Sequence, residues 1–242
     1  MGKPEVGIML RERIGTALGA RVFAAPLEYG IDTVYGLLHP ALLGSGATLE
    51  EERRPLAGDE LVPEPMWEAT RAQTIGAAPA DVWPWIVQMG YGRGGYYSFS
   101  AFDPRHVHDL DVIKPHLQLL RVGDVWLDGP GCDETKGAWT VTAIEPGRAL
   151  VLHSLRDPVS GRVLDPKEPG SRWIDCSWAF VVGPARRGTT RLLARTRVTF
   201  APAWARPAAR LICGPGDTVM QRTMLRGIRE RAERLAGVPM AA

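Results

Sequence analysis

The strongest constraint in this chain is the order of its periodicities. Between Gly123 and Pro202 lie five short apolar or alternating runs: VWL (125–127), AWTVTAI (138–144), ALVLHSL (149–155), WIDCSWAFVV (173–182) and TRLLARTRVTF (190–200). Asp128-Gly129-Pro130-Gly131, Glu145-Pro146-Gly147, Gly183-Pro184 and Arg187-Gly188 punctuate them. Such runs read as strands, and the short gaps between them predict an antiparallel meander. Upstream, Thr70–Ile75 alternates as a short strand, and Ala78-Pro79-Ala80-Asp81 opens a helix carrying Val82, Trp83, Ile86, Val87 and Met89. One long helical stripe follows the meander, predicted from Asp217 to Ala236, with Asp217 or Thr218 placed to cap it and Val219, Met220, Met224, Ile228 and Leu235 along one side. This order predicts an α+β fold: a curved antiparallel sheet wrapped around one long C-terminal helix, with room for a ligand between them.

The 242 residues suit one domain with an appendage. The expected division is an N-terminal helical extension (1–45), an acidic strap (46–68) and a ligand-binding domain (69–237). The apolar positions of residues 5–43 follow two helical stripes broken at Pro26. They are expected to pack on the main body; a homodimer contact or a membrane-peripheral element is the alternative. Pro26, Glu28 and Asp32 make the segment a poor membrane span, and Arg11, Glu12 and Arg13 interrupt any secretory leader. A soluble, cytoplasmic protein is therefore expected. Three scattered cysteines, Cys132, Cys176 and Cys213, fit a reducing compartment and the role of small apolar fillers.

A net charge of +2 excludes the concentrated basic surface of a nucleic-acid binder. The charge is uneven, however. Residues 45–68 carry seven acids against Arg53 and Arg54, and residues 186–234 carry twelve arginines against Asp217, Glu230 and Glu233. The acidic strap is expected to lie near the basic region; an anionic-ligand or lipid-surface patch is the other reading. Alternation places Arg191, Arg195 and Arg197 on the face opposite Leu192, Ala194, Thr196 and Val198, which predicts solvated arginines on the outside of the sheet.

Gly90-Tyr91-Gly92-Arg93-Gly94-Gly95 matches a dinucleotide fingerprint in letters but not in context, since a helix precedes it and none follows. It reads as a turn. His106-Val107-His108, with Asp109, Asp111 and His116 near, lacks the remaining ligands of a known metal spacing. A His–Asp pair that orients a ligand or moves a proton is one reading, and structural hydrogen bonding is the other. His153 lies mid-strand with Val151 and Leu155, and its role depends on which face is concave. No metal or cofactor is expected.

Several segments taken together resemble a known family. The run from Thr74-Ile75-Gly76 through Asp81-Val82-Trp83-Pro84-Trp85-Ile86 to Met89-Gly90 is similar to the strand-then-helix opening of the START-like (SRPBCC) superfamily, in its bacterial polyketide cyclase/dehydrase-like branch. Arg93-Gly94-Gly95-Tyr96-Tyr97-Ser98 resembles that branch's glycine–aromatic segment. His108, Asp111 and Pro115 fall where it carries His, Asp and Pro before Val122-Gly123-Asp124. Ser177-Trp178-Ala179-Phe180 resembles its late strand, and the stretch from Met224 through Gly227 and Arg231 to Glu233 its terminal helix. Arg53 to Pro63 resembles its lead-in. The resemblance covers about residues 48–236. It implies the helix-grip fold and a deep hydrophobic pocket for lipids, sterols, polyketides or similar molecules, in a superfamily that mixes binders, carriers and cyclases. Two departures stand out: residues 5–43 are charged and Pro-interrupted where relatives carry membrane-spanning helices, and His116 replaces an expected acid.

The expected ligand is an apolar, aromatic or polycyclic small molecule. Its expected contacts are Trp83, Tyr96, Tyr97, Phe99, Trp126, Trp139, Trp178, Met220 and Met224. His108 with Asp111, then His153, are the candidates for acid–base chemistry in a cyclase or dehydratase; in a non-catalytic carrier the same residues would only orient the ligand.

Overall fold

A computed structural model describes residues 46–98, 110–186, 188–202 and 206–237, with side chains from Asp217 onward in the last segment. The predicted helical extension, Phe99, His106 and His108 lie outside the described residues. A short helix α1 (Leu49–Arg53) opens the strap, with a capping box between Thr48 and Glu51 at its start. β1 (Trp67–Ile75) leads into α2 (Pro79–Val87), whose Pro79 occupies the first turn, where a missing N–H costs nothing. Then come β2 (Val125–Leu127), β3 (Ala138–Glu145), β4 (Ala149–Arg156), β5 (Trp173–Pro184), β6 (Thr190–Ala201) and α3 (Arg206–Leu235). The six strands form one antiparallel sheet in the order β1-β6-β5-β4-β3-β2. The meander is as expected, and β1 closes it by pairing with β6. An α+β arrangement of curved sheet and long helix results. Among the described residues no helix is long and apolar enough to cross a membrane.

Two boundaries differ from expectation. β1 begins at Trp67 because its register continues through Trp67 and Val198. The backbone of α3 is already helical at Arg206 and runs through Gly214-Pro215-Gly216, which the sequence marks as a helix start. Asp217 and Thr218, predicted as caps, face β1 instead: Arg71 donates to Thr218 Oγ1 at 2.6 Å and its NH1 lies 2.5 Å from Asp217 Oδ2.

The alternation of β6 organises both faces of the sheet. Inward, Leu192 and Ala194 join Leu150 and Leu152 of β4 and Cys176, Trp178, Phe180 and Val182 of β5. Met224, Leu225, Ile228 and Ala232 of α3 and Val82, Trp85 and Ile86 of α2 cover them. Burying each large side chain fully contributes about 1.5–3 kcal/mol.

Outward, the arginines of β6 are not solvated; the strap covers them. Arg195 keeps 2 % of its side-chain surface exposed. Its five N–H donors reach Thr70 Oγ1 (2.8 Å), Arg54 O (2.9 Å), Asp59 Oδ2 (2.7 Å), Glu51 O (2.9 Å) and Glu52 O (2.8 Å). Glu51 and Glu52 lie at the end of α1, where backbone carbonyls lack helical partners and favour a cation. Arg197 donates to the carbonyls of Val62 and Pro63 and pairs with Asp59 and Glu68. Arg191 forms a fork on the Glu51 carboxylate at 2.7 Å and donates to Gly46 O. Gly58 turns the strap at φ +88°, where a Cβ would lie 2.5 Å from the Val151 side chain.

At the other face, backbone contact sets the height of α3. A Cβ on Gly227 would lie 2.4 Å from the Tyr97 carbonyl oxygen and 2.7 Å from its Cβ. Farther along, Glu233 accepts the Gly76 N–H at 2.8 Å, and Arg231 donates to Leu110 O and lies 4.6 Å from the Tyr97 ring centre.

Four outcomes follow for stability. Arg195→Met should cost about 3–5 kcal/mol in urea unfolding, because it leaves Asp59 to Arg197 alone and takes the buried donor from three carbonyls under the strap. Arg148→Met, at an exposed pair with Glu145, should stay within about 0.5 kcal/mol. The Arg191 fork lowers the Glu51 pKa from 4.5 to about 2, outweighing the opposing effect of burial. A folded pKa below the unfolded one gives stability that is present above about 4.5 and lost as pH falls towards 2. Glu51→Gln should therefore flatten the acid side of the stability–pH curve measured by denaturant unfolding. Gly227→Ala should lower stability by about 1–3 kcal/mol in thermal unfolding, although alanine favours a helix by about 1 kcal/mol.

Candidate functional site

The inner face carries a connected group of rings. The Trp178 ring centre lies 4.9 Å from Phe180, 5.6 Å from Trp139 and 6.1 Å from Tyr96, with Tyr96 stacked on it at 21°. Strand alternation brings them together: Trp178 and Phe180 are two residues apart on β5, and Trp139 points the same way from β3. Tyr96 comes from the loop after α2 and is anchored by its hydroxyl, which donates to Leu127 O at 2.9 Å. Met220 packs partly buried against this core, and its carbonyl accepts from Ser98 Oγ at 3.0 Å. Met224 is fully buried in it.

Two charged couples border the rings. At one end Arg156 pairs with Asp128, and the guanidinium lies 4.9 Å from the Trp139 ring centre. Asp128 also accepts the Trp139 indole N–H at 2.6 Å. Towards β1 the couple is Arg71 with Asp217, which accepts from Gln221 Nε2 at 2.6 Å. Burial raises the Asp217 pKa, opposed by Arg71, and lowers that of Arg71, opposed by Asp217.

The thiol and the phenol beside the rings are held protonated. Burial pushes the Cys176 thiol up to about 12, although Arg156 works against it. Burial, helped by Asp128, holds the Tyr96 phenol well above its usual range. Among the described residues no three His, Cys, Asp or Glu side chains gather as a metal ion would require.

The sequence-predicted site residues divide into groups. Tyr96, Trp139 and Trp178 meet on the inner face beside Met220 and Met224. Trp126 is fully buried in register with Trp139, and Trp83 packs partly buried against the core from α2. Tyr97 serves the framework: at φ 55° its hydroxyl donates to Trp85 O and accepts from Gln88 Nε2, both at 3.1 Å. Asp111 pairs with Arg231 and Arg234 at the far end of α3, with 61 % of its side chain exposed. His153 lies on the outer face, in register with Thr140 and Ser177, and its Nε2 is 2.6 Å from Asp175 Oδ1. It therefore does not face the rings. Phe99 and His108 lie outside the described residues.

Phe180, Arg156 and Arg71 belong to the inner face yet were not among the candidates. Alternation carries the signal for all three: Phe180 follows Trp178, Arg156 follows Leu152 and Ser154, and Arg71 precedes Gln73 and Ile75.

No protein-family model and no curated protein matches the chain. Among solved structures, a hypothetical protein of Helicobacter pylori is 14% identical, with 77% of this chain and 98% of that one covered at a TM-score of 0.42. A Thermobifida fusca protein is 18% identical over 72% of this chain and 99% of its own, at 0.41. A point mutant of norcoclaurine synthase from Thalictrum flavumn, in complex with a transition-state analogue, is 13% identical over 70% of this chain and 96% of its own, at 0.38. At these levels the likeness says nothing about what this chain binds.

Proposed function

We propose that the chain is a helix-grip protein of the START-like kind, akin to the polyketide cyclase/dehydrase-like branch, that encloses an apolar, aromatic or polycyclic small molecule. The ligand lies between the inner face of the sheet and the part of α3 that carries Met220 and Met224. The observation that carries this reading is the cluster in which Tyr96, Trp139 and Phe180 each make ring contact with Trp178. Flat rings bury large area at small entropic cost and stack on flat ligands. The framework around them is fixed independently, by Gly227 against Tyr97 and by Arg71 on Asp217.

In the catalytic version the protein cyclises or dehydrates a polyketide-like substrate. His108 moves the proton, and Asp111 is held by Arg231 and Arg234. In the non-catalytic version the protein carries its ligand unchanged. The described part of the inner face favours the carrier, since its charges are paired and its thiol and phenol stay protonated.

Titration with N-phenyl-1-naphthylamine, a neutral apolar fluorophore, tests the shared core of both versions. Wild type should bind it, Trp178→Ala should weaken binding about tenfold or more, and Trp173→Ala should leave it unchanged. No binding by wild type would end the proposal. Native mass spectrometry of the purified protein should then give the mass of a co-purified ligand. With that ligand, loss of turnover but not affinity in His108→Ala supports the enzyme, and a fall in affinity with no turnover by wild type supports the carrier.

A further inference from the structure

We propose that Gln221 and Trp178 form a hydroxyl-reading pair, so that the ligand class is an alcohol or phenol on an apolar ring system. This rests on the inner face being the ligand space. Gln221 is fully buried, and its Nε2 donates to Thr196 Oγ1 and Asp217 Oδ1, each at 2.6 Å. Both amide hydrogens are thereby used. Turning the amide over would set its oxygen against the Asp217 carboxylate, which is itself held by Arg71 at 2.5 Å. The amide orientation is therefore fixed, and Oε1 is committed as an acceptor.

That Oε1 is buried without a hydrogen-bond partner, and so is the indole N–H of Trp178. Trp178 and Thr196 are register partners across β5 and β6, so the Gln221 head rests on the residue next to Trp178. One layer of the inner face thus offers a fixed, unfilled acceptor and an unfilled donor. Native proteins rarely leave such groups orphaned, because each one costs free energy. A hydroxyl matches the two together: its oxygen accepts from the indole and its hydrogen donates to the amide. An ether or ketone satisfies Trp178 but leaves Gln221 Oε1 unmatched. A hydrocarbon satisfies neither, and a carboxylate would meet both Oε1 and Asp217 with like sign.

Isothermal titration calorimetry with 2-naphthol, 2-methoxynaphthalene and naphthalene tests this. Wild type should bind 2-naphthol about tenfold more tightly than either other probe. Gln221→Leu, which keeps the bulk, should remove the preference over 2-methoxynaphthalene while retaining naphthalene affinity. Near-equal binding of all three probes to wild type would overturn the inference and leave the apolar-ligand reading intact; a bound water that already serves the pair would give this same result. A hydroxyl preference that survives in folded Gln221→Leu also overturns it. If none of the three binds, the reading of the inner face fails and the inference falls with it.

Discussion

The Arg195 guanidinium lies under the strap with every donor occupied, and the rest of the outer face is arranged around it. Taking a charge out of water costs several kcal/mol unless geometry and additional hydrogen bonds offset the loss. Here the compensation has two parts. Asp59 supplies the countercharge, and the end of α1 supplies carbonyls whose aligned dipoles favour a cation. The same contacts that neutralise Arg195 hold residues 51–59 against β6. The acidic strap and the basic strand are thus two halves of one interaction, which accounts for the opposed charge of two segments far apart in sequence.

β6 ties this outer interaction to the inner face. Its odd positions Arg191, Arg195 and Arg197 reach the strap, and its even positions Leu192, Ala194 and Thr196 face α3. A one-residue slip would send arginines into the core and leucine to the strap, so both faces enforce a single register. The inner face contains a second buried pair, Arg71 with Asp217. Each face of the sheet is therefore fastened by an arginine that reaches a segment remote in sequence: the strap on one side and the long helix on the other.

How legible all this is in the sequence follows from which interactions are local. Turn residues and alternation are local, so β3 and β4 run within a residue of their predicted ends, and Trp178 points inward as alternation requires. Alternation names a face but not what covers it. Arg195 reads as solvated because its cover lies some 140 residues upstream in sequence. His153 has the same difficulty in reverse: its strand does not say which side is concave. The start of α3 is misread because Gly214-Pro215-Gly216 is a local helix breaker inside a helix of 30 residues. Tyr97 looks like a second pocket ring beside Tyr96, yet its left-handed backbone turns its hydroxyl onto Gln88 and Trp85.

The contact between Gly227 and Tyr97 joins backbone to backbone, and such a spacer has no rotamers. The clearance of α3 above the loop is therefore a constant of the fold at that point and cannot be tuned by swapping one side chain for a neighbour in size. Adjustment of shape falls to the side chains that hang from the helix ahead of it. Met220 and Met224 are both unbranched, with three rotatable bonds each. The protein thus combines a rigid gauge with pliable neighbours: a glycine fixes the height of α3 above the loop, and the packing ahead of it is left to two sulfur-bearing chains.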